Sequence, residues 1–375
     1  MHAERPTILI LTTHTGGGHL NLARALQETL APHYRVVIMN PQPAFVEPCY
    51  ALATRYGVRF LTWQYTFTDN ESASLWLQRF LTISSLKRLM SIIERVQPQL
   101  IITTHAMIAY ATARANERSR RRVPLVFQLT DLGQVHMTWF AEKHADAYLA
   151  PTREIFAQAR QQGIEDARLH LTGRPIRRQF LDAPLDSRDT ILTSLGLDPA
   201  VFTVFLQGGA KGSARVDRTV ETLLGVGLPM QIILAAGNNQ GMIAHYAGVA
   251  RVRPLPFTEK IAPYMAAADV IAGKAGASAI SEAFMVEKPF LATAFIPGQE
   301  TSNLQFIERH NLGWVCLDAV TQQKLFAGIA SNPRMIAAKV EGIRAYKAWN
   351  KEANQRMLPV IASLLAPTRP PGEGG

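Results

Sequence analysis

A residue placed to do acid–base chemistry is Asp131. It closes the apolar run 125–130 and is followed by Leu132-Gly133-Gln134-Val135-His136-Met137-Thr138-Trp139-Phe140. A run of that kind reads as a parallel strand, whose carboxyl end opens on a ligand cleft. A carboxylate there can take the proton from an attacking hydroxyl. Asp also caps turns at such places, and spacing leaves the two roles level.

Three glycine loops could face an anion. Thr15-Gly16-Gly17-Gly18-His19 follows the apolar run 7–13 and precedes a helical stretch, 20–30. Glycines let backbone amides approach a ligand closely, and a helix N-terminus favours negative charge. A tight turn that binds nothing has the same composition. Gly209-Ala210-Lys211-Gly212-Ser213 repeats the pattern, and so does Gly273-Lys274-Ala275-Gly276-Ala277-Ser278. In the helix after the third loop, Glu282 is placed to accept hydrogen bonds from ribose hydroxyls; an ordinary surface carboxylate is the alternative. Pro297-Gly298-Gln299-Glu300-Thr301-Ser302-Asn303 puts polar side chains at another helix start, suited to sugar hydroxyls or to capping. No Gly-Lys-Ser, Gly-Lys-Thr, Asp-x-Asp or His-Glu-x-x-His occurs. The sequence therefore predicts neither a P-loop, nor a metal site, nor a bound cofactor. His14, His105 and His144, scattered near strand ends, are read as scaffold.

The elements that must position these loops alternate along the chain. Apolar runs at 7–13, 35–40, 100–105 and 125–130 form one series. Runs at 203–208, 231–237, 270–273, 290–294 and 314–317 form a second, with helical stretches at 215–224, 260–268 and 279–286 between them. Such runs are the mark of parallel strands buried on both faces, joined by right-handed crossovers. The prediction is α/β, with two Rossmann-like domains facing across a cleft. The junction is placed at Gly173-Arg174-Pro175-Ile176-Arg177 and the polar stretch 182–189. Residues 1–175 form the first domain and 176–345 the second, and 367–375, rich in Pro and Gly, is a disordered tail.

The chain has 375 residues, 47% of them hydrophobic, enough for two cores. Its two cysteines, Cys49 and Cys316, suggest no disulfide framework and fit a reducing compartment. No apolar segment approaches the roughly 20 residues of a membrane span, and no signal peptide is read at the start, so a soluble or peripheral protein is expected. The net charge of +10 favours an anionic partner. Nucleic acid is the weakest choice, because the basic residues follow no recognition module. Within 63–94, Trp76, Phe80, Leu81, Leu86, Leu89 and Met90 are mixed with Arg79, Lys87 and Arg88. That mixture suits the surface of an anionic bilayer, with a buried helix as the alternative.

Together these motifs resemble the monogalactosyldiacylglycerol synthase and processive diacylglycerol glucosyltransferase group of glycosyltransferase family 28. The resemblance rests on Thr15-Gly-Gly-Gly-His19, Thr130-Asp131 with His136, Trp139 and Phe140, and Gly173-Arg-Pro-Ile-Arg177 with Phe180. It rests also on Lys274-Ala-Gly276, Ser281-Glu282-Ala283 and Pro297-Gly-Gln-Glu300 with Asn303. The chain departs from bacterial relatives in having Lys274-Ala275-Gly276-Ala277 where they often carry Lys-Pro-Gly-Gly.

The resemblance implies the GT-B fold and transfer of a hexose from UDP-galactose or UDP-glucose to diacylglycerol, with inversion, at the cytoplasmic face of a membrane containing anionic lipids. It implies Asp131 as general base and His19 near the reacting centre. Donor contacts fall to the loops, Gly17 and Gly18, Gly209 and Lys211, and Lys274, Gly276 and Ser278, then to Glu282 for ribose and to Gln299, Glu300 and Asn303 for the hexose. His136 and Trp139 join the residues of 76–88 on the acceptor and membrane side. A last helix, 346–366, crosses back onto the first domain. With no metal expected, backbone amides and Lys274 or Lys211 stabilise the leaving UDP, and activity survives chelation. A UDP-sugar epimerase, or a non-catalytic nucleotide or lipid sensor, are the other uses of such a fold.

Overall fold

A computed structural model describes residues 5–13, 17–43, 58–181, 186–207 and 214–366. Thr15, Gly16, Gly209, Lys211, His14, Cys49 and the tail 367–375 lie outside the described residues.

Two six-stranded parallel sheets form the frame. The first contains β1 (Thr7–Leu11), β2 (Arg35–Met39), β3 (Leu100–Thr103), β4 (Leu125–Gln128), β5 (Ala147–Ala150) and β6 (Leu169–Leu171), in the order β2-β1-β3-β4-β5-β6. The second contains β7 (Phe202–Gln207), β8 (Met230–Gly237), β9 (Val252–Pro256), β10 (Val270–Lys274), β11 (Phe290–Ala294) and β12 (Gly313–Val315), in the order β12-β11-β10-β7-β8-β9. Strands β5, β6 and β9 were not predicted. Each is short or broken by a polar residue or proline, and β9, with Pro254 and Pro256, lies at an edge where missing amides are tolerated.

Successive side chains point to opposite faces, so Leu9 and Leu11 join one core cluster while Ile8 and Ile10 join the other. Helices cover both faces, which is why these strands read as unbroken apolar runs. The helices Pro333–Asn354 and Met357–Leu365 close the chain, so the final helical region begins well before residue 346. Ile343 packs in the second domain, whereas Met357 and Ile361 are buried beside Ile8 and Ile10 of the first.

Strand order locates the ligand cleft. β2 and β3 flank β1 on opposite sides, and β8 and β10 flank β7 in the same way. At each such point the following loops diverge and leave a crevice at the carboxyl ends. His19 and Thr104 stand at the first switch point, Lys274 and Gly276 at the second.

Candidate active site

The first switch point is tied together by hydroxyls. Thr104 Oγ1 donates to Thr12 Oγ1 at 2.9 Å, and the Thr104 carbonyl lies 3.0 Å from His19 Nδ1. A carbonyl can only accept, so Nδ1 carries the proton and Nε2 keeps its lone pair. Burial is the main cause that lowers the His19 pKa to about 4, with Arg174 and Lys274 adding to it against the Thr104 bond. His19 is thus neutral at pH 7. His105, whose Nδ1 caps Met107 N–H at 3.2 Å, stands with its ring centroid 4.3 Å from that of His19.

Asp131 follows β4. Burial raises its carboxyl to about 6; Glu300 adds to the rise, while Arg174, the Asn303 amide and Lys274 oppose it. The group is ionised at neutral pH yet more basic than an exposed Asp, as a general base requires. The same two cations, Arg174 and Lys274, act on Asp131 and on His19.

Arg174 is buried at 3% exposure and is the central tie between the domains. Its Nη1 donates to the Thr130 carbonyl, and its Nη2 donates to Ser278 Oγ at 2.8 Å. Ser278 Oγ in turn donates to the Gly18 carbonyl at 3.0 Å. The Ser278 hydroxyl, predicted to touch donor, therefore bridges the first and third glycine loops. Gly17 and Gly18 open the helix Gly17–Leu30, and Gly276 is the N-cap of the helix Ala277–Met285, with no side chain capping that end.

The other predicted donor residues also meet partners within the protein. Glu282 is buried and accepts from Arg177 Nε at 3.0 Å and Nη2 at 2.8 Å. Glu300, also buried, accepts from Lys274 Nζ through one oxygen and from Ile296 N–H at 2.8 Å through the other. Gln299 is half-buried in the turn that leads into the helix Thr301–Arg309. Asn303 is wholly buried and faces both domains.

On the acceptor side the structure corrects two assignments. Trp139 is 2% exposed in the core of the first domain, its ring 6.0 Å from Phe127, and has no surface to offer a lipid. His136 is scaffold: Nδ1 accepts from Thr138 N–H at 3.1 Å, and Nε2 lies 3.0 Å from the Tyr65 carbonyl and 3.3 Å from Thr68 Oγ1. It thereby fastens the helix Val58–Thr68 to the domain. Tyr65 of that helix has burial and the charges of Asp131 and Asp69 pushing its hydroxyl well above its usual range. Its ring covers Gly298 so closely that a Cβ there would lie 2.8 Å from Tyr65 Cδ1.

The segment read as bilayer-facing splits by helical period. On Glu71–Val96, Leu89 is buried and Leu86 and Met90 pack on the core. Trp76 (65%), Phe80 (62%) and Ile83 (80%) are exposed, and Arg79, Lys87 and Arg88 are exposed with them. On Val58–Thr68, Trp63 and Phe67 are exposed and stacked at 5.4 Å. Sequence reasoning quoted Arg174 and Arg177 without giving them a task and passed over Tyr65. Two arginines around a proline at the junction were the available signal, since a buried charge must find a partner.

Comparison with known proteins gives the family and the fold. Residues 19–176 match the family model described as monogalactosyldiacylglycerol (MGDG) synthase, and residues 203–351 match that described as glycosyltransferase family 28 C-terminal domain. The soybean protein named probable monogalactosyldiacylglycerol synthase, chloroplastic, is 25% identical over 339 residues, covering 84% of this chain. The chain spans 63% of that relative's length. The crystal structure of the kitacinnamycin glycosyltransferase aligns with TM-score 0.66 at 12% identity, covering 97% of this chain and 100% of that one. Anabaena Alr3699/HepE in complex with UDP-glucose aligns with TM-score 0.59 at 16% identity, covering 95% and 99%. These define a protein of the GT-B fold and of glycosyltransferase family 28. Within that family the chain belongs to the monogalactosyldiacylglycerol synthase group.

Proposed function

We propose that the chain transfers galactose or glucose from its UDP derivative to the free hydroxyl of diacylglycerol, with inversion at the anomeric carbon, at a membrane surface. The observation that carries the reading is Asp131: a carboxylate of raised basicity at the cleft, beside the two cations that also act on His19. In this mechanism the acceptor oxygen attacks the anomeric carbon as the bond to the UDP oxygen breaks. The acceptor proton passes to Asp131, and the sugar inverts. Charge on the departing diphosphate is met by the amides that open the helix Ala277–Met285, which no side chain caps, and by Lys274, without a metal ion. The names of the relatives and the UDP-glucose complex of the structural neighbour support acceptor and donor class.

The test is transfer of radiolabelled hexose from UDP-galactose and from UDP-glucose, separately, to diacylglycerol in anionic mixed micelles, with and without chelator. Lipid-soluble label from one donor, unaffected by chelation, is expected. Turnover of free UDP-sugar with no lipid present would instead reveal an epimerase, and complete loss restored only by a divalent ion would remove the metal-free mechanism.

Among the described residues no helix is long and apolar enough to cross a membrane. Attachment in this reading falls to the exposed face of Trp76, Phe80 and Ile83, flanked by Arg79, Lys87 and Arg88. Part-covered already, each of the three apolar side chains gains about 1 kcal/mol on entering the interface, less than the full burial value. Trp76→Ser, Phe80→Ser and Ile83→Ser combined should weaken binding to anionic vesicles by about 100-fold. Undiminished co-sedimentation of the triple variant would show that another surface is used.

A further inference from the structure

Asn303 stands where the two domains touch, and the surroundings of its amide are unusually specific. It lies in the first turn of the helix Thr301–Arg309, in the second domain, and is 0% exposed. Its Oδ1 accepts the Leu132 N–H at 3.0 Å; its Nδ2 donates to the Ala275 carbonyl at 3.1 Å and to Asp131 Oδ1 at 3.5 Å. One donor and two acceptors converge on it, and only an amide, in this one orientation, answers all three. Leu132 and Asp131 belong to the first domain. Ala275 lies between Lys274 and Gly276 in the loop at the second switch point.

The backbone around it is equally close. Ser302 Oγ donates to the Gln134 carbonyl at 3.1 Å, and a Cβ on Gly133 would fall 2.2 Å from the Ser302 carbonyl oxygen. The loop after β4 therefore meets the start of the helix Thr301–Arg309 main chain to main chain. At that contact Asn303 is the side chain that holds Asp131 and the donor-side loop together. Were the domains to part, it would lose Asp131 and Leu132 together.

We propose that Asn303 is a positioning residue: it ties closure of the domains to the orientation of Asp131, rather than binding the sugar. The inference rests on the reading of Asp131 as general base. It assigns Asn303 an effect on the chemical step and not on donor affinity. An aspartate in its place would set a carboxylate against the Ala275 carbonyl and the Asp131 carboxylate, three acceptors with no donor among them. An alanine would leave the Leu132 N–H buried without a partner.

The experiment compares wild type, Asn303→Ala, Asn303→Asp and Asp131→Asn in kcat, UDP-hexose affinity by calorimetry without acceptor, and the pH dependence of kcat/KM. In Asn303→Ala, kcat is expected to fall about 10- to 100-fold, as for a misplaced catalytic group, with UDP-hexose affinity within a factor of two of wild type. The acid limb of its pH profile should move to higher pH, because a donor that favours the Asp131 carboxylate has gone. In Asn303→Asp it should move further, since a second negative charge is added. Weakened UDP-hexose binding with the limb unmoved would make Asn303 a donor contact and overturn the proposal, and so would an unchanged kcat. Asn303→Asp, nearly the same in shape, carries the comparison if Asn303→Ala fails to fold. The Asp131→Asn control separates the two ideas: a limb that persists there removes the general-base reading itself, whatever Asn303 does.

Discussion

Asp131→Asn is expected to lower kcat by roughly 10²- to 10⁴-fold, the usual contribution of a positioned general base, while UDP affinity stays close to that of wild type. The carboxamide keeps the shape and the contact with Asn303 but cannot take a proton. The pH dependence of the wild type makes the assignment sharper. Only ionised Asp131 can act as base, so kcat/KM should rise with pH through about 6 and then level. His19 is the rival base, because its Nε2 lone pair is available and its ring neutral. Its pKa of about 4 would put the limb two pH units lower, at a hundredfold higher proton concentration. A limb near 6 that vanishes in Asp131→Asn identifies the aspartate. A limb near 4, surviving in that variant and removed by His19→Ala, transfers the role to the histidine.

The largest effect expected on stability comes from the pair of Arg177 and Glu282, whose side chains are 10% and 6% exposed. Arg177→Met should destabilise the protein by about 3–5 kcal/mol, because the carboxylate remains buried with its partner removed. Replacing both, Arg177→Met with Glu282→Leu, should recover most of that loss. Burial raises the Glu282 pKa in the native protein, and Arg177 opposes the rise. Without Arg177 the pKa rises further. A carboxyl whose folded pKa lies above its unfolded one favours the folded state at low pH and loses that advantage as pH increases. The melting difference between Arg177→Met and wild type should therefore be larger at pH 8 than at pH 5. A difference independent of pH would show that stacking of the Arg177 guanidinium over the Phe180 ring, 5.1 Å away, is what the substitution removed.

The long central strands were legible because both faces are covered and most of their residues are apolar. Ala147–Ala150 and Leu169–Leu171 carry too few apolar residues to stand out from the helices around them, and the prolines of Val252–Pro256 disguise an edge strand. The loops of the site were legible for a related reason: ligand positions in such sheets follow from where strands end. Their hydrogen-bond partners were not. Ser278, Glu282 and Asn303 lie where the glycine and polar motifs put them, but each meets a residue far away in sequence: Gly18, Arg177 or Asp131. Spacing along a chain fixes the face and depth of a side chain and says nothing about the other wall of a cleft. Trp139 illustrates the opposite error, since an aromatic beside a catalytic motif looks like a ligand contact until the core claims it.

The chain passes between the domains twice, once after Leu171 and once between Asn354 and Met357, and the two passages are bound to each other. Asn350 Oδ1 accepts the Arg174 N–H at 2.7 Å, and the Asn350 and Asn354 amides both donate to the Arg174 carbonyl at 3.0 Å. A body held by one thread can swivel in any direction. Held by two that are fastened side by side, it has little choice but to swing about the line they define. Any opening of the cleft is thereby confined to a swing about that line, as a door is by its hinges.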